Sequence, residues 1–82
     1  MKAIQVQLFA GAREAAGADQ ITIEVPSDCT YGGLADRVAS DFPGLQALLG
    51  VSRFAAAGQY ATKEMLVDET VEIALIPPVS GG

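Results

Sequence analysis

Apolar and polar residues alternate in three stretches of the chain, which is the pattern of strands that bury one face. The three stretches are residues 3–9, 21–25 and 71–76. Pro26 follows the second stretch, and Pro77 and Pro78 follow the third. Because proline cannot donate a hydrogen bond to a neighbouring strand, these prolines mark the ends of two of the strands. The pattern therefore predicts three main strands.

A different spacing follows Thr30, where apolar residues recur every three or four positions, as in an amphipathic helix. These residues are Tyr31, Leu34, Ala35, Val38 and Phe42. Thr30 is a suitable N-cap for this helix, and Pro43 and Gly44 end it. Shorter helical turns are predicted for the stretch AGAREAAG, which Gly17 closes, and for the stretch LQALLG.

The stretch RFAAAGQYA predicts two short strands around a turn at Gly58 and Gln59, although alanine is a poor strand former. The order is then strand, strand, helix, short strands and strand, and a right-handed crossover would lay the last strand parallel to the first. We therefore expect an α+β fold of the β-grasp type, with a mixed sheet and one main helix packed on one face. The domain would span residues 1–76, followed by a flexible tail at residues 77–82.

Phe9 and Ile76 are apolar residues near the ends of the first and last strands. By alternation, they lie on the face opposite the predicted core. If those strands are parallel neighbours, both residues lie at the same end of the sheet and on its outward face. Single exposed apolar residues are common and need no explanation. Two of them side by side, next to the tail, favour a docking patch for a partner.

At 82 residues the chain is long enough for one small domain. Ten acidic residues, five basic residues and no histidine give a formal net charge of −5. Nucleic acid and anionic membranes require a positive surface, so we expect neither as a partner. No stretch approaches the roughly 18 apolar residues of a membrane helix, and the single cysteine cannot form an internal disulfide. A cytoplasmic protein is therefore expected.

The sequence contains no recognisable catalytic or cofactor motif. It lacks histidine, a phosphate-binding loop and a dinucleotide-binding glycine motif. Asp68 and Glu69 are adjacent, but they precede the last strand in a predicted solvated turn, and a metal site needs converging ligands. Cys29 is expected to be a small buried packing residue. We therefore expect no intrinsic enzymatic activity and no bound metal or cofactor.

The remaining candidate chemistry lies in the C-terminal stretch IPPVSGG. Gly81 and Gly82 lack side chains, so they can enter a narrow channel and adopt backbone angles that are closed to other residues. Pro77 and Pro78 restrict the start of the tail and lower the entropy that is lost on insertion. The four residues after the prolines span at most roughly 13–14 Å when extended. The carboxylate of Gly82 could thus reach another protein's active site, be activated as an acyl-adenylate and become a thiocarboxylate.

Two stretches carry a resemblance to a known family. They are LFAGAREAAG and the terminal IPPVSGG, of which the second is highly specific. Through them, the chain resembles the small sulfur-carrier subunits of molybdopterin synthase, which are ubiquitin-like β-grasp proteins, over essentially its whole length. The resemblance implies that a ubiquitin-activating-like adenylyltransferase uses ATP to adenylate Gly82, and that a sulfur donor then converts it to a thiocarboxylate.

The resemblance also implies a second partner, the large catalytic subunit of the synthase, in a heterotetramer of two small and two large subunits. There the sulfur would pass to cyclic pyranopterin monophosphate, and two transfers would make molybdopterin. The residues that would thread into the partner ahead of the sulfur-bearing Gly82 are Pro77, Pro78, Val79, Ser80 and Gly81. Phe9 and Ile76 match the family's docking face. Arg13 matches a family arginine, which could make a polar contact or could be a charge on the helix surface.

Two turns depart from the family pattern. An Asp-Gly-Asp turn before the last strand is replaced by Asp-Glu-Thr at residues 68–70, and an asparagine near the central turn is replaced by Gly58. Such residues exchange roles in turns, so the departures concern partner specificity more than tail chemistry. Other hypotheses stay open: a sulfur carrier for thiazole, cysteine or transfer-RNA thiolation, a ubiquitin-like modifier joined to lysines, and an interaction module that does not use its terminus.

Overall fold

The computed structural model describes residues 1–77. Its elements in chain order are β1 (Lys2–Leu8), α1 (Ala10–Ala16), β2 (Gln20–Val25), α2 (Tyr31–Asp41), a short 3-10 turn (Pro43–Leu45), α3 (Gln46–Leu49), β3 (Arg53–Ala56), β4 (Gln59–Tyr60) and β5 (Ile73–Ile76). The tail residues that lie outside the described residues are Pro78, Val79, Ser80, Gly81 and Gly82. The strand β5 ends at Ile76, and the division into a domain at residues 1–76 and a tail at residues 77–82 stays a prediction.

The strands form one mixed sheet in the order β2-β1-β5-β3-β4. The central strand β1 pairs antiparallel with β2 and parallel with β5. On the other side of β5, β3 pairs antiparallel with it and with the short β4. The parallel pairing of the first and last main strands, which the crossover rule predicted, is confirmed, and so is the α+β class.

The core lies between this sheet and α2. Its buried residues from the sheet and from α2 are Ile4, Val6, Leu8, Ile21, Ile23, Val25, Tyr31, Leu34, Val38, Phe54, Ile73 and Leu75. Two further members of the predicted helix stripe, Ala35 and Phe42, are partly buried against this core. Burying a large aliphatic side chain stabilises a fold by roughly 1.5–3 kcal/mol, so these residues supply the main driving force. The prediction of one main helix packed on one face of the sheet is confirmed.

Two glycines allow α2 to begin in close contact with the loop that precedes β5 and with Cys29. The hydroxyl of Thr30 accepts a hydrogen bond from the backbone N–H of Gly33 at 3.3 Å, which caps the helix as predicted. The backbone N–H of Gly32 donates to the carbonyl of Lys63 at 3.0 Å. A Cβ atom at position 33 would lie 3.0 Å from the sulfur of Cys29. Glycine lowers helix propensity here, but it permits this close packing.

Two element boundaries differ from the prediction. β5 begins at Ile73 and not at residue 71, because Val71 closes a turn in which its N–H donates to the carbonyl of Asp68 at 3.4 Å. The turn between β3 and β4 consists of Ala57 and Gly58, one residue earlier than predicted. Both residues have a positive φ, 52° and 82°, as a two-residue hairpin turn of this kind requires.

Replacing Ala57 with asparagine is expected to stabilise the protein. The left-handed backbone region costs a residue such as alanine roughly 1–2 kcal/mol, whereas asparagine tolerates it. We expect Ala57→Asn to raise the free energy of unfolding by about 1 kcal/mol in urea denaturation followed by circular dichroism. Ala55→Asn, two residues earlier in β3, is the matched control and should give no gain. Destabilisation by Ala57→Asn would contradict this turn geometry.

Candidate functional site

One face of the sheet packs on α2, and the opposite face, here called the open face, carries a group of small and apolar residues. This group, called the apolar strip below, consists of Phe9, Ala55, Tyr60, Ala74 and Ile76. Ala74 pairs with Ala55 on β3, and Ala55 pairs with Tyr60 on β4, so the strip crosses three neighbouring strands. The alternate residues Phe54 and Leu75 are buried in the core, which directs the strip to the other face.

Phe9 and Ile76 form the end of the apolar strip. Leu8 pairs with Leu75 in parallel register, so the next residues along both strands follow side by side. Phe9 keeps an extended backbone, with φ −133° and ψ 155°, and this continues the alternation of β1 past its last paired residue. Its side chain is exposed at 47%, whereas Ile76 is half-buried. The structure thus brings the two residues together, and their role in docking stays a prediction.

Arg53 and Tyr60 extend the site, and the sequence analysis missed both. Arg53 pairs with Ile76 in antiparallel register. The guanidinium carbon of Arg53 lies 4.4 Å from the centroid of the Tyr60 ring, which is a cation–π contact. Tyr60 is 55% exposed. The sequence does contain a signal for Arg53: in a strand that buries Phe54, the preceding residue lies on the opposite face. The alanines that follow Phe54 hide this alternation.

The part of the open face over β1 and β2 is polar. Gln7 donates from its side-chain amide to the amide oxygen of Gln20 at 3.1 Å, and Gln20 donates to the amide oxygen of Gln5 at 3.0 Å. The side-chain amides of these glutamines hydrogen-bond to one another, so this half of the open face is polar and offers little apolar contact area. The candidate contact surface is therefore the apolar strip.

Arg13 lies on α1, one helical turn after Phe9, where its backbone N–H donates to the carbonyl of Phe9 at 3.4 Å. Its side chain is exposed, and one guanidinium nitrogen lies 3.6 Å from a carboxylate oxygen of Asp19. An exposed ion pair of this kind contributes little to stability. The side chain of Arg13 is therefore accessible to a partner at the same end of the molecule as Phe9. Its contact with a partner stays a prediction.

The chain leaves the sheet beside the apolar strip. Pro77 is half-buried and follows Ile76 directly, at the point where Ile76 pairs with Arg53. The roles that the sequence predicts for the residues from Pro78 to Gly82 fall outside the described residues. The described geometry therefore gives the position of the tail's first residue, at the same end of the open face as Phe9 and Arg53.

Elsewhere, the described residues offer little reactive chemistry. Across residues 1–77, no group of three or more histidine, cysteine, aspartate or glutamate side chains could hold a metal ion. The carboxylate of Asp68 accepts hydrogen bonds from the hydroxyl and backbone N–H of Thr70, at 2.6 and 2.8 Å, and these bonds lower the pKa of Asp68. Asp68 and Glu69 are exposed, so their prediction as solvated residues of a turn is confirmed. Of the helices that the structure describes, none is long and apolar enough to cross a membrane.

Cys29 is buried, which confirms its prediction as a packing residue. Its thiol donates to the carbonyl of Thr30 at 3.2 Å. Burial raises the pKa of the Cys29 thiol, and the nearby carboxylate of Asp28 raises it further against the opposing effect of Lys2. The thiolate, which is the reactive form, is therefore disfavoured in the folded protein.

The reactivity of Cys29 can be predicted from this environment. At mildly alkaline pH, below the raised pKa, the folded chain holds less thiolate than the unfolded chain and shields it from solvent. We expect iodoacetamide to alkylate the native protein at least about 10-fold more slowly than the protein in urea, as followed by mass spectrometry. Equal rates in the two states would contradict the burial of Cys29.

Taken together, a mixed sheet in this strand order, one main helix on one face and an exposed strip on the other define a ubiquitin-like β-grasp domain. The chain belongs to the ThiS family, whose model matches residues 6–82.

Relatives of similar length support this assignment. The molybdopterin synthase sulfur carrier subunit of Arabidopsis thaliana is 37% identical over 79 residues, which cover 96% of this chain and 82% of the relative. The protein of the same name from Dictyostelium discoideum is 35% identical over 81 residues, which cover 95% of this chain and 94% of the relative.

Solved structures share the fold. The crystal structure of SAMP1, the small archaeal modifier protein 1 of Haloferax volcanii, is similar with a TM-score of 0.84 and 28% identity, covering 99% of this chain and all of that chain. A complex of subunits 1 and 2 of the molybdopterin-converting factor from Helicobacter pylori contains a similar chain, with a TM-score of 0.68 and 22% identity over 99% of this chain and 100% of that one. At that identity the second likeness shows the fold alone.

Proposed function

We propose that this chain is the sulfur carrier of a molybdopterin synthase and delivers sulfur from a thiocarboxylate at Gly82. The observation that carries the proposal is the position of the apolar strip, which lies beside Pro77, where the chain leaves the sheet for its diglycine end. A partner that covers the strip would then receive the tail in a defined position. The names and lengths of the relatives from Arabidopsis thaliana and Dictyostelium discoideum support the same function.

The proposed cycle uses the carboxylate of Gly82 as its reactive group. Attack of this carboxylate on ATP forms an acyl-adenylate and releases pyrophosphate. Sulfide supplied by a sulfur donor then attacks the acyl carbon, displaces AMP and forms the C–S bond of the thiocarboxylate. The adenylyltransferase partner binds the ATP, so the carrier itself needs no cofactor. Sulfur transfer to cyclic pyranopterin monophosphate then builds the dithiolene of molybdopterin, and replacement of the sulfur by oxygen from water restores the carboxylate.

In this proposal the carrier supplies the sulfur and the large subunit supplies the catalytic side chains. The apolar strip, with Phe9 and Ile76 at its end, docks on the large subunit, and Arg13 makes a polar contact at the edge. The tail residues that thread into the active site are Pro77, Pro78, Val79, Ser80 and Gly81. Two carriers and two large subunits would form a heterotetramer in the cytoplasm. The Helicobacter pylori complex of subunits 1 and 2 is a precedent for pairing of the two kinds of subunit by a protein of the same fold, and the stoichiometry is part of the proposal.

Reconstitution tests this function directly. The thiocarboxylated chain is mixed with the large subunit from the same organism and cyclic pyranopterin monophosphate, and the dithiolene product is measured. We expect molybdopterin to form in proportion to the thiocarboxylate that is supplied. A carrier that acts in thiazole, cysteine or transfer-RNA thiolation would keep its sulfur under these conditions, and that result would contradict the proposal.

A second candidate function is that of a ubiquitin-like modifier joined to lysines of other proteins. The likeness to SAMP1 of Haloferax volcanii, whose name describes it as a modifier, favours this alternative. The two functions begin with the same acyl-adenylate and differ in the nucleophile that displaces AMP. Incubation with the activating enzyme, ATP and a cell extract distinguishes them, since a modifier forms lysine-linked adducts and a dedicated sulfur carrier does not.

A further inference from the structure

We propose that Arg53 determines partner specificity by binding a carboxylate of the large synthase subunit. The inference rests on the proposed function, because it requires that the large subunit covers the apolar strip. It concerns a residue outside the two stretches that carry the family resemblance, and it names the chemistry that the partner must present opposite this residue.

The position of Arg53 is fixed at the tail end of the open face. It pairs with Ile76, the last residue of β5, and its guanidinium lies over the ring of Tyr60 at 4.4 Å. A guanidinium held on an aromatic ring keeps N–H groups at its edge for hydrogen bonds. Because the ring already restricts the side chain, less entropy is lost when a partner binds it.

Among the described residues, Arg53 lacks the neighbouring carboxylate that Arg13 and Arg37 each have. Arg13 lies 3.6 Å from Asp19. Arg37, on α2, lies 3.4 Å from Asp41. In the part of the chain that the structure describes, no carboxylate oxygen lies within 4.0 Å of the guanidinium of Arg53. This difference is informative because acidic residues outnumber basic residues by ten to five in this chain.

Docking on the apolar strip would change the environment of this cation. A surface that covers Ile76 and Tyr60 also removes water from Arg53, which lies between them in register and in space. A desolvated cation is costly unless an anion compensates it, and the side chains of the strip are uncharged. A carboxylate on the partner provides that anion and can accept two parallel hydrogen bonds from the guanidinium.

The free-energy cost of desolvating Arg53 without an anion also discriminates between partners. An apolar surface without an acidic residue at this point would bury the unpaired cation and bind less tightly. The apolar strip therefore supplies contact area, whereas Arg53 selects the surface that carries a carboxylate in the matching position.

The test measures the affinity of the chain for the large subunit by isothermal titration calorimetry at low and high salt. The variants are Arg53→Gln, which keeps a long polar side chain, and Arg53→Glu, which reverses the charge. Arg37→Gln and Arg37→Glu make the same charge changes at an exposed arginine of α2 and serve as matched controls. Thermal unfolding of each variant shows whether it is folded.

We expect the dissociation constant to rise about 10-fold for Arg53→Gln and about 100-fold for Arg53→Glu, because loss of one partner of a desolvated ion pair is costly. The controls should stay within about 2-fold of the unsubstituted chain, since an exposed charge outside the interface contributes little. The salt dependence of binding should also weaken in Arg53→Gln, which a purely structural role of Arg53 would not cause.

Two other outcomes would contradict different claims. If the Arg53 and Arg37 variants bind equally well, the inference about Arg53 is wrong while the proposed function stands. If the unsubstituted chain does not bind the large subunit at all, the proposed function fails and the inference fails with it. Should Arg53→Glu prove unfolded, Arg53→Gln decides the question by the same comparison.

Discussion

A chain that lacks Gly82 is expected to form no measurable molybdopterin in the reconstituted synthase, although it should fold as the unsubstituted chain does. Deletion leaves the carboxylate on Gly81 and withdraws it by about 3.5 Å, the length of one extended residue. Misplacement of a reacting group by even about 1 Å can cost about 100-fold in rate, so the shortened tail should lose at least that much. The measurement is dithiolene formation per mole of carrier supplied.

The control for this deletion is Ser80→Ala, which keeps the length of the tail and both terminal glycines. It should transfer sulfur at a rate close to that of the unsubstituted chain, because a smaller side chain is still able to thread. Urea denaturation of both variants should give the same midpoint, since the core ends before the tail. Sulfur transfer by the deletion variant at the unsubstituted rate would show that Gly82 is not the sulfur-bearing residue.

Leu75→Ala and Ile76→Ala are expected to separate stability from docking, although the two residues are neighbours. Leu75 is buried in the core and pairs with Leu8 and with Phe54. Truncating it should lower the free energy of unfolding by about 2–5 kcal/mol, a large part of the roughly 5–15 kcal/mol that is typical of a domain. Urea denaturation followed by circular dichroism measures this loss.

Ile76 lies on the open face and is only half-buried, so Ile76→Ala should cost less than about 2 kcal/mol of stability. It should nevertheless weaken binding to the large subunit at least about 10-fold, because the partner would bury this residue beside Phe9, where the tail leaves the sheet. Calorimetry on the folded fraction of each variant measures the affinity. Weaker binding by folded Leu75→Ala, together with unchanged binding by Ile76→Ala, would contradict docking through the open face.

The sequence was most informative where side chains differ strongly between the two faces of an element. In β1 and β2, Ile and Val alternate with Gln, Thr and Glu, so the pattern predicts which face of each strand is buried. In α2, the residues Tyr31, Leu34 and Val38 mark one stripe, and all three are buried. The predicted order of strands then required β5 to lie beside β1, and this placed Phe9 next to Ile76.

The sequence was least informative around β3 and β4. Alanine is compatible with both faces of a sheet, so the run at positions 55–57 gives neither the register nor the turn. For that reason the sequence pattern predicts the turn one residue too late and does not reveal the contact between Arg53 and Tyr60. The packing of Gly32 against Lys63 was also beyond reach, because it depends on a loop without periodicity that returns to α2.

The central claim, that Gly82 carries sulfur, is tested most directly by the intact mass of the chain. The protein is incubated with its activating enzyme, ATP and a sulfur donor, and its mass is then measured with the Gly82 deletion variant as control. The account predicts a mass gain equal to the exchange of one oxygen for one sulfur, located on the C-terminal peptide of the full-length chain. An unchanged mass, or adducts joined to lysine, would contradict it.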